Sequence, residues 1–322
     1  MTWKLIIPIL MFPVIYLLIG FALTLIAPRV NGTDSLNFDR LRSGDTAAVE
    51  PAAIKQFTAR DGQAISYAHY PAATDLKVIL LHGSGYHGSY LAPLGDYLAR
   101  QGAAEVFVLN IRGHLGSGDR RGDIEHVGQL EEDIVDLIAM IKRDDPDANI
   151  VIGGHSSGGA LAIRFAAGQH GSQARGYFAL APFLGPDAPT MVQSGWAHIS
   201  LPRIIGLTML NFVGIHWLDG LETIRFNLPE AYRNGSETLG YSWRLMKNLA
   251  LNRDYAPDIA GLPKTSLVLV GRNDEAMDAD KFPIVFKGLQ DNVELVDNHD
   301  HFSLVLDEPT FKRVETWLRA LY

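Results

Sequence analysis

The chain has 322 residues, 47% of them hydrophobic and 20% charged, with no cysteine and a formal net charge of −8. That composition supports a large core and argues against global disorder, and an acidic balance without a long basic run argues against a nucleic-acid partner. The lack of cysteine excludes disulfides, thiolate nucleophiles and cysteine-held metals.

The first segment, Leu5 to Ala27, is free of charged residues. As a helix rising 1.5 Å per residue it reaches roughly 35 Å, enough for a bilayer core. Pro8 and Pro13 are tolerable near the start of such a helix. The stretch is longer than the apolar part of a cleaved signal, and Pro28 after Ala27 suits a cleavage site poorly. A transmembrane anchor over 1–29 is therefore expected, followed by a juxtamembrane linker over 30–51 and a catalytic domain over 52–322. Lys4 precedes the span, and Arg29, Arg40 and Arg42 follow it, so the charge count leans slightly to a cytoplasmic domain. The cysteine-free composition leans the other way, and the expectation is a membrane protein, single-pass, with its catalytic domain extracytoplasmic. Asn31-Gly32-Thr33 and Asn234-Gly235-Ser236 match the glycosylation acceptor pattern, which also arises by chance in turn-rich segments.

Ile54–Thr58 and Ala64–Tyr70 flank Asp61-Gly62, which predicts a hairpin. Val78–Leu81 and Val106–Leu109 are short continuous apolar runs, the pattern of buried parallel strands. Leu91–Arg100 is amphipathic, and Leu130, Ile134, Leu137, Ile138 and Ile141 recur at helical spacing. Ile150–Gly153, Tyr177–Leu180, Leu267–Val270 and Val293–Val296 continue the strand series, and Phe311–Leu321 closes with an amphipathic helix. Strands alternating with helices predict an α/β fold with a mostly parallel sheet and helices on both faces. Between Pro182 and Pro263 the buried-strand runs stop, and the segment is apolar and aromatic, with Trp196, Phe212, Trp217, Tyr232, Tyr241 and Trp243. It predicts a helical cap insertion, about 183–262, over the carboxyl edge of the sheet.

The chemistry concentrates at Gly154-His155-Ser156-Ser157-Gly158, which follows the run Ile150–Gly153 and precedes a helical pattern. Strand, tight turn and helix with a serine at the apex expose a strained hydroxyl at the end of a sheet. A serine needs a base, and the base an orienting acid. Asp274 ends the run after Leu267–Val270, with Glu275, Asp278 and Asp280 as competitors; Asp278 is better placed to cap the helical stretch near Phe282. His301 follows Val293–Val296 and competes with His299, while His155 reads as a packing or supporting residue. Acyl transfer also needs donors for the oxyanion. The backbone N–H of Ser157, and that of Ser84 in His82-Gly83-Ser84-Gly85, are the candidates, with His82 orienting the loop. The glycine-rich segments lack the spacing of phosphate loops, and His82, His87 and His114 lack the spacing of a ligand pair on one helix, so no cofactor or metal is expected.

Taken together, Val78-Ile79-Leu80-Leu81-His82-Gly83, Asn110-Ile111-Arg112-Gly113-His114, the serine pentapeptide, Gly271-Arg272-Asn273-Asp274 and His301-Phe302 resemble the α/β-hydrolase superfamily. The chain looks most like the branch of monoacylglycerol lipases, lysophospholipases and serine aminopeptidase-like hydrolases. Two departures from the usual Asp-x-Arg-Gly-His-Gly-x-Ser loop are Asn110 in place of the aspartate and Leu115 between the histidine and the glycine. The expectation is a membrane-anchored serine hydrolase of lipophilic acyl esters, lysophospholipid or monoacylglycerol, acting through Ser156, Asp274 and His301. Two alternatives stay open. One is an amidase or aminopeptidase with Glu222, Glu230 or Glu237 as an amine-binding acid; the other is a non-catalytic membrane-tethered binding protein on the same scaffold.

Overall fold

The computed structural model describes residues 3–32, 35–42 and 52–321, with the side chains of 11–32, 35–41 and 52–321. In chain order they form α1 (Trp3–Thr24), α2 (Asp39–Arg42), β1 (Ala53–Thr58), β2 (Ala64–Tyr70), β3 (Leu76–Leu81), α3 (Ala92–Arg100), β4 (Glu105–Leu109), α4 (Gln129–Asp144), β5 (Asn149–His155), α5 (Ser157–Ala167) and β6 (Gly176–Leu180). There follow β7 (Ala197–Ile199), α6 (Leu201–Phe212), β8 (Glu222–Phe226), β9 (Gly240–Ser242), α7 (Trp243–Leu249), α8 (Ala256–Ala260), β10 (Leu267–Gly271), α9 (Phe282–Val285), β11 (Val293–Val296) and α10 (Glu308–Ala320).

Eight strands make one sheet in the order β1-β2-β4-β3-β5-β6-β10-β11. The hairpin β1–β2 is antiparallel and joins β4 antiparallel, while every pairing from β4 through β3, β5, β6 and β10 to β11 is parallel. The apolar runs β3, β6 and β10 are buried at every residue, as strands covered on both faces must be. Their carboxyl ends lie at one edge because the parallel register aligns Leu81 with Gly154 and His155 with Leu180.

The segment between β6 and β10 departs from the all-helical expectation. It carries a separate antiparallel sheet, β7-β8-β9, beside α6, α7 and α8. These strands are short and half exposed, so they contain no apolar run for the sequence to display.

The N-terminal segment also departs from expectation. Among the described residues no helix is long and apolar enough to cross a membrane, so the spanning anchor over 1–29 is not carried by the structure. The side chains of 3–10, on which part of that expectation falls, lie outside the described ones. Instead one side of α1 lies on α6. A Cβ added to Gly206 would stand 2.6 Å from the carbonyl of Gly20, the close backbone approach that small residues allow. Tyr16 donates to the Met209 carbonyl (3.0 Å), and Arg203 Nε to the Thr24 carbonyl (2.7 Å). Part of the expected free linker is packed as well: Phe38 is 1% exposed, with the Trp196 and Phe302 rings 5.2 Å away. Residues 33–34 and 43–51 of that linker lie outside the described residues.

Candidate active site

Ser156 sits between β5 and α5 with φ 54° and ψ −119°, a conformation that side-chain-bearing residues rarely hold. The turn is pinned from two directions. The Ser156 N–H donates to the Leu180 carbonyl of β6 (2.9 Å), and the Ser156 carbonyl accepts from Phe183 N–H (3.0 Å). The flanking glycines are required by space. A Cβ on Gly154 would meet the Gly158 carbonyl oxygen at 2.1 Å, and one on Gly158 would meet the Leu81 oxygen at 2.2 Å. Gly158→Ala is therefore expected to lower stability by about 3 kcal/mol, the upper end of the usual cost of overpacking. The urea unfolding midpoint measures it; an unchanged midpoint would mean that α5 does not sit this close to β3.

Asp274 and His301 meet at the same sheet edge. His301 Nδ1 lies 2.8 Å from Asp274 Oδ2, and both side chains are buried. The other carboxylate oxygen, Oδ1, accepts the N–H groups of Ala276 (2.8 Å) and Met277 (2.9 Å), so both oxygens of Asp274 are engaged as acceptors. Asn273 N–H donates to the His299 carbonyl (2.9 Å) and Arg272 N–H to the Val296 carbonyl (3.0 Å), which stitches the acid turn to the histidine loop. Burial opposes charge on His301, but the Asp274 carboxylate overrides it and holds the imidazole pKa above its ordinary value of 6.5. With Nδ1–H given to Asp274, Nε2 is the nitrogen left for the pocket, which Ser156 and His301 line together.

The competitors are placed elsewhere. His299 Nδ1 faces the Asp297 carbonyl at 2.7 Å, and Asp280 pairs with Arg272 at the surface (3.3 Å). Asp278 precedes a short turn over 279–281 and makes no side-chain capping bond, contrary to the capping role expected of it. Glu275 meets the histidine through the backbone and not the ring: its Oε2 accepts the His301 N–H (3.2 Å).

Two tyrosines hold the loop after β3. Gly83 N–H donates to Tyr90 Oη (2.5 Å), which can then donate only onward, to His155 Nδ1 (3.0 Å); His155 Nε2 reaches the His301 carbonyl (3.2 Å). Gly85 N–H donates to Tyr241 Oη (2.7 Å), which donates to His114 Nε2 (2.6 Å). His82 closes a second link, accepting Ile111 N–H at Nε2 (3.0 Å) and facing the Gly83 carbonyl through Nδ1 (2.9 Å). Burial holds the pKa values of His82 and His155 well below 6.5 and that of His114 at about 4, so all three relay hydrogen bonds as neutral rings. With the N–H groups of Gly83 and Gly85 engaged, Ser84 N–H has no partner among the described residues, and neither has Ser157 N–H at the start of α5. The Ser84 hydroxyl joins that of Ser157 at 2.9 Å, so these two N–H groups sit on adjoining backbones. Tyr90 and Tyr241 were invisible as site residues in the sequence, because neither stands in a motif. Asn110 spends its side chain on Gly88 N–H (2.8 Å) and Ser66 Oγ (2.9 Å), which gives the departure from the usual aspartate a scaffolding role.

Residues 72–218 match the family described as serine aminopeptidase, S33. Mouse monoglyceride lipase is 28% identical over 183 residues, covering 55% of this chain and 54% of that protein, so the chain spans about half the length of this curated relative. The structure of a monoglyceride lipase from Saccharomyces cerevisiae superposes with a TM-score of 0.62 at 18% identity, over 85% of this chain and 96% of that one. A membrane phospholipase A described as a bacterial virulence factor superposes at 0.58 and 14% identity, over 99% and 97%. Sheet order, elbow and matched segment agree: the chain has the α/β-hydrolase fold and resembles its monoacylglycerol lipase-like branch.

Proposed function

We propose that this chain is a serine hydrolase of lipophilic carboxylic esters, of lysophospholipid or monoacylglycerol type. The observation that carries the reading is His301, paired with the buried Asp274 and lining one pocket with the strained Ser156. His301 Nε2 takes the Ser156 proton as Oγ attacks the ester carbonyl. The tetrahedral oxyanion is met by the N–H groups of Ser84 and Ser157. The intermediate collapses, the alcohol leaves with the proton from His301, and an acyl-enzyme remains. Water then gives its proton to His301 and attacks the acyl carbon, and the acid is released as the proton returns to Ser156 Oγ.

The lipophilic substrate is supported by exposed apolar side chains along α1 and α6 and in the turn that follows α6. Phe12 (70%), Leu18 (64%), Phe212 (86%) and Trp217 (73%) are open to the outside, a surface suited to a lipid interface. The amidase alternative is weakened by Glu222, Glu230 and Glu237, none of which lines the serine pocket. A domain division into an N-terminal segment, a hydrolase body from about residue 52 and a cap over about 183–262 belongs to the same proposal.

A fluorophosphonate probe tests the reading, because it labels only an activated serine. Labelling is expected at Ser156 and is lost in Ser156→Ala. Unlabelled wild-type protein would favour the non-catalytic alternative, and faster turnover of aminoacyl amides than of acyl esters would favour the amidase.

A further inference from the structure

Residues 35–41, after α1, pack against the serine pocket. Leu36, 7% exposed, lines that pocket with Ser156, His301, Trp196 and Phe302. It is the aliphatic side chain among the lining residues described; the others are glycine, serine, histidine and aromatic residues. Phe38 sits behind it, with the rings of Trp196, Tyr232 and Phe302 between 5.2 and 5.7 Å away. Three polar contacts pin the segment to the pocket's rims. Ser35 Oγ donates to the Asn227 carbonyl (2.5 Å), on the β6–β10 side. Asn37 N–H donates to Glu275 Oε1 (2.9 Å), and the other oxygen of that carboxylate accepts the His301 N–H. Arg40 pairs with Asp307 (2.5 Å), beyond the histidine loop.

The free cavity at the serine is about 10 Å³, room for about one water molecule and far below the ~300–1,000 Å³ of most ligand pockets. An acyl chain entering an apolar pocket is discriminated by how many of its methylenes find room there. We propose that Leu36, held in place by Phe38, is a specificity-determining residue that limits the length of the acyl chain the site accepts. Residues 35–38 are then part of the substrate-binding wall and not a spacer. This rests on the serine hydrolase reading, and the experiment separates the two.

The test compares kcat/KM for p-nitrophenyl decanoate and butyrate in the full chain. Leu36→Ala is expected to raise the decanoate-to-butyrate ratio about tenfold and Leu36→Trp to lower it about tenfold, with Leu36→Met, similar in volume, within about twofold of wild type. The rates at which short- and long-chain alkyl fluorophosphonates label Ser156 should shift in the same directions, since they report acyl fit without turnover. A ratio unmoved in both the alanine and tryptophan variants overturns the proposal. If neither of these folds, the ratio in Leu36→Val decides, with a rise supporting the role and no change overturning it. Wild-type protein that hydrolyses esters through Ser156 while ignoring Leu36 leaves the enzymatic reading standing and removes only this one. Protein that never labels at Ser156 removes both.

Discussion

Ser156→Ala is expected to lower kcat for p-nitrophenyl esters by about 10⁵–10⁶-fold, the loss found when a nucleophile that works as one unit with its base is removed. Little else should change. Ser156 Oγ holds none of the contacts that shape the elbow, which run through the residue's own N–H and carbonyl to Leu180 and Phe183. Alanine also carries a Cβ at φ 54°, so the backbone strain is the same in the variant and the unfolding midpoint should stay in place. Activity measured beside thermal unfolding checks both halves. Residual hydrolysis within about a hundredfold of wild type would point to a different nucleophile, because oxyanion donors and binding alone leave only about 10³–10⁴ over water.

The second large effect belongs to Asp274→Asn, for which a loss of about 10⁴ in kcat near neutral pH is expected. The carboxylate accepts three N–H groups, from His301 Nδ1, Ala276 and Met277. An amide has a single acceptor oxygen, so one of these donors must face an NH₂ group, or the imidazole must take the other tautomer and lose Nε2 as a base. The unmatched buried donor should cost about 1–3 kcal/mol of stability besides. The pH profile separates these effects. In the wild type the raised pKa of His301 places the acid limb of kcat/KM above pH 6.5, since the base works only when neutral and protonates as pH falls through that value. Removing the carboxylate leaves burial to act alone, and burial favours the neutral ring. The limb should therefore move to lower pH in Asp274→Asn. An acid limb that stays put would mean that Asp274 does not govern the base.

The legible parts of the site are those whose signals are local. Ser156 is announced by Gly154 and Gly158 within one turn, and the structure explains both glycines by backbone oxygens about 2 Å from where a Cβ would stand. Asp274 follows an apolar run that had to be a buried strand, His301 follows the shorter edge strand β11, and parallel strands put their carboxyl ends side by side. The misread parts lack such signals. The strands β7, β8 and β9 are half exposed and short, so their sequence looks like loop. The stretch Leu5–Ala27 is apolar throughout and looks like a span, yet a glycine pair and a few hydrogen bonds to α6 give α1 a protein-facing side that hydropathy alone cannot express.

The sequence by itself determined the parallel sheet and the tight turn at Ser156, and it sets Ser156, Asp274 and His301 in the chain order that the proposed triad needs, because period, glycine placement and strand ends are properties of neighbours along the chain. Tertiary structure decided which N–H groups of the loop after β3 remain free, through Tyr90 and Tyr241, and what closes the pocket, through Leu36 and Phe38. Those contacts join residues far apart in the chain, where side-chain reach and packing select the partner and no local pattern records it.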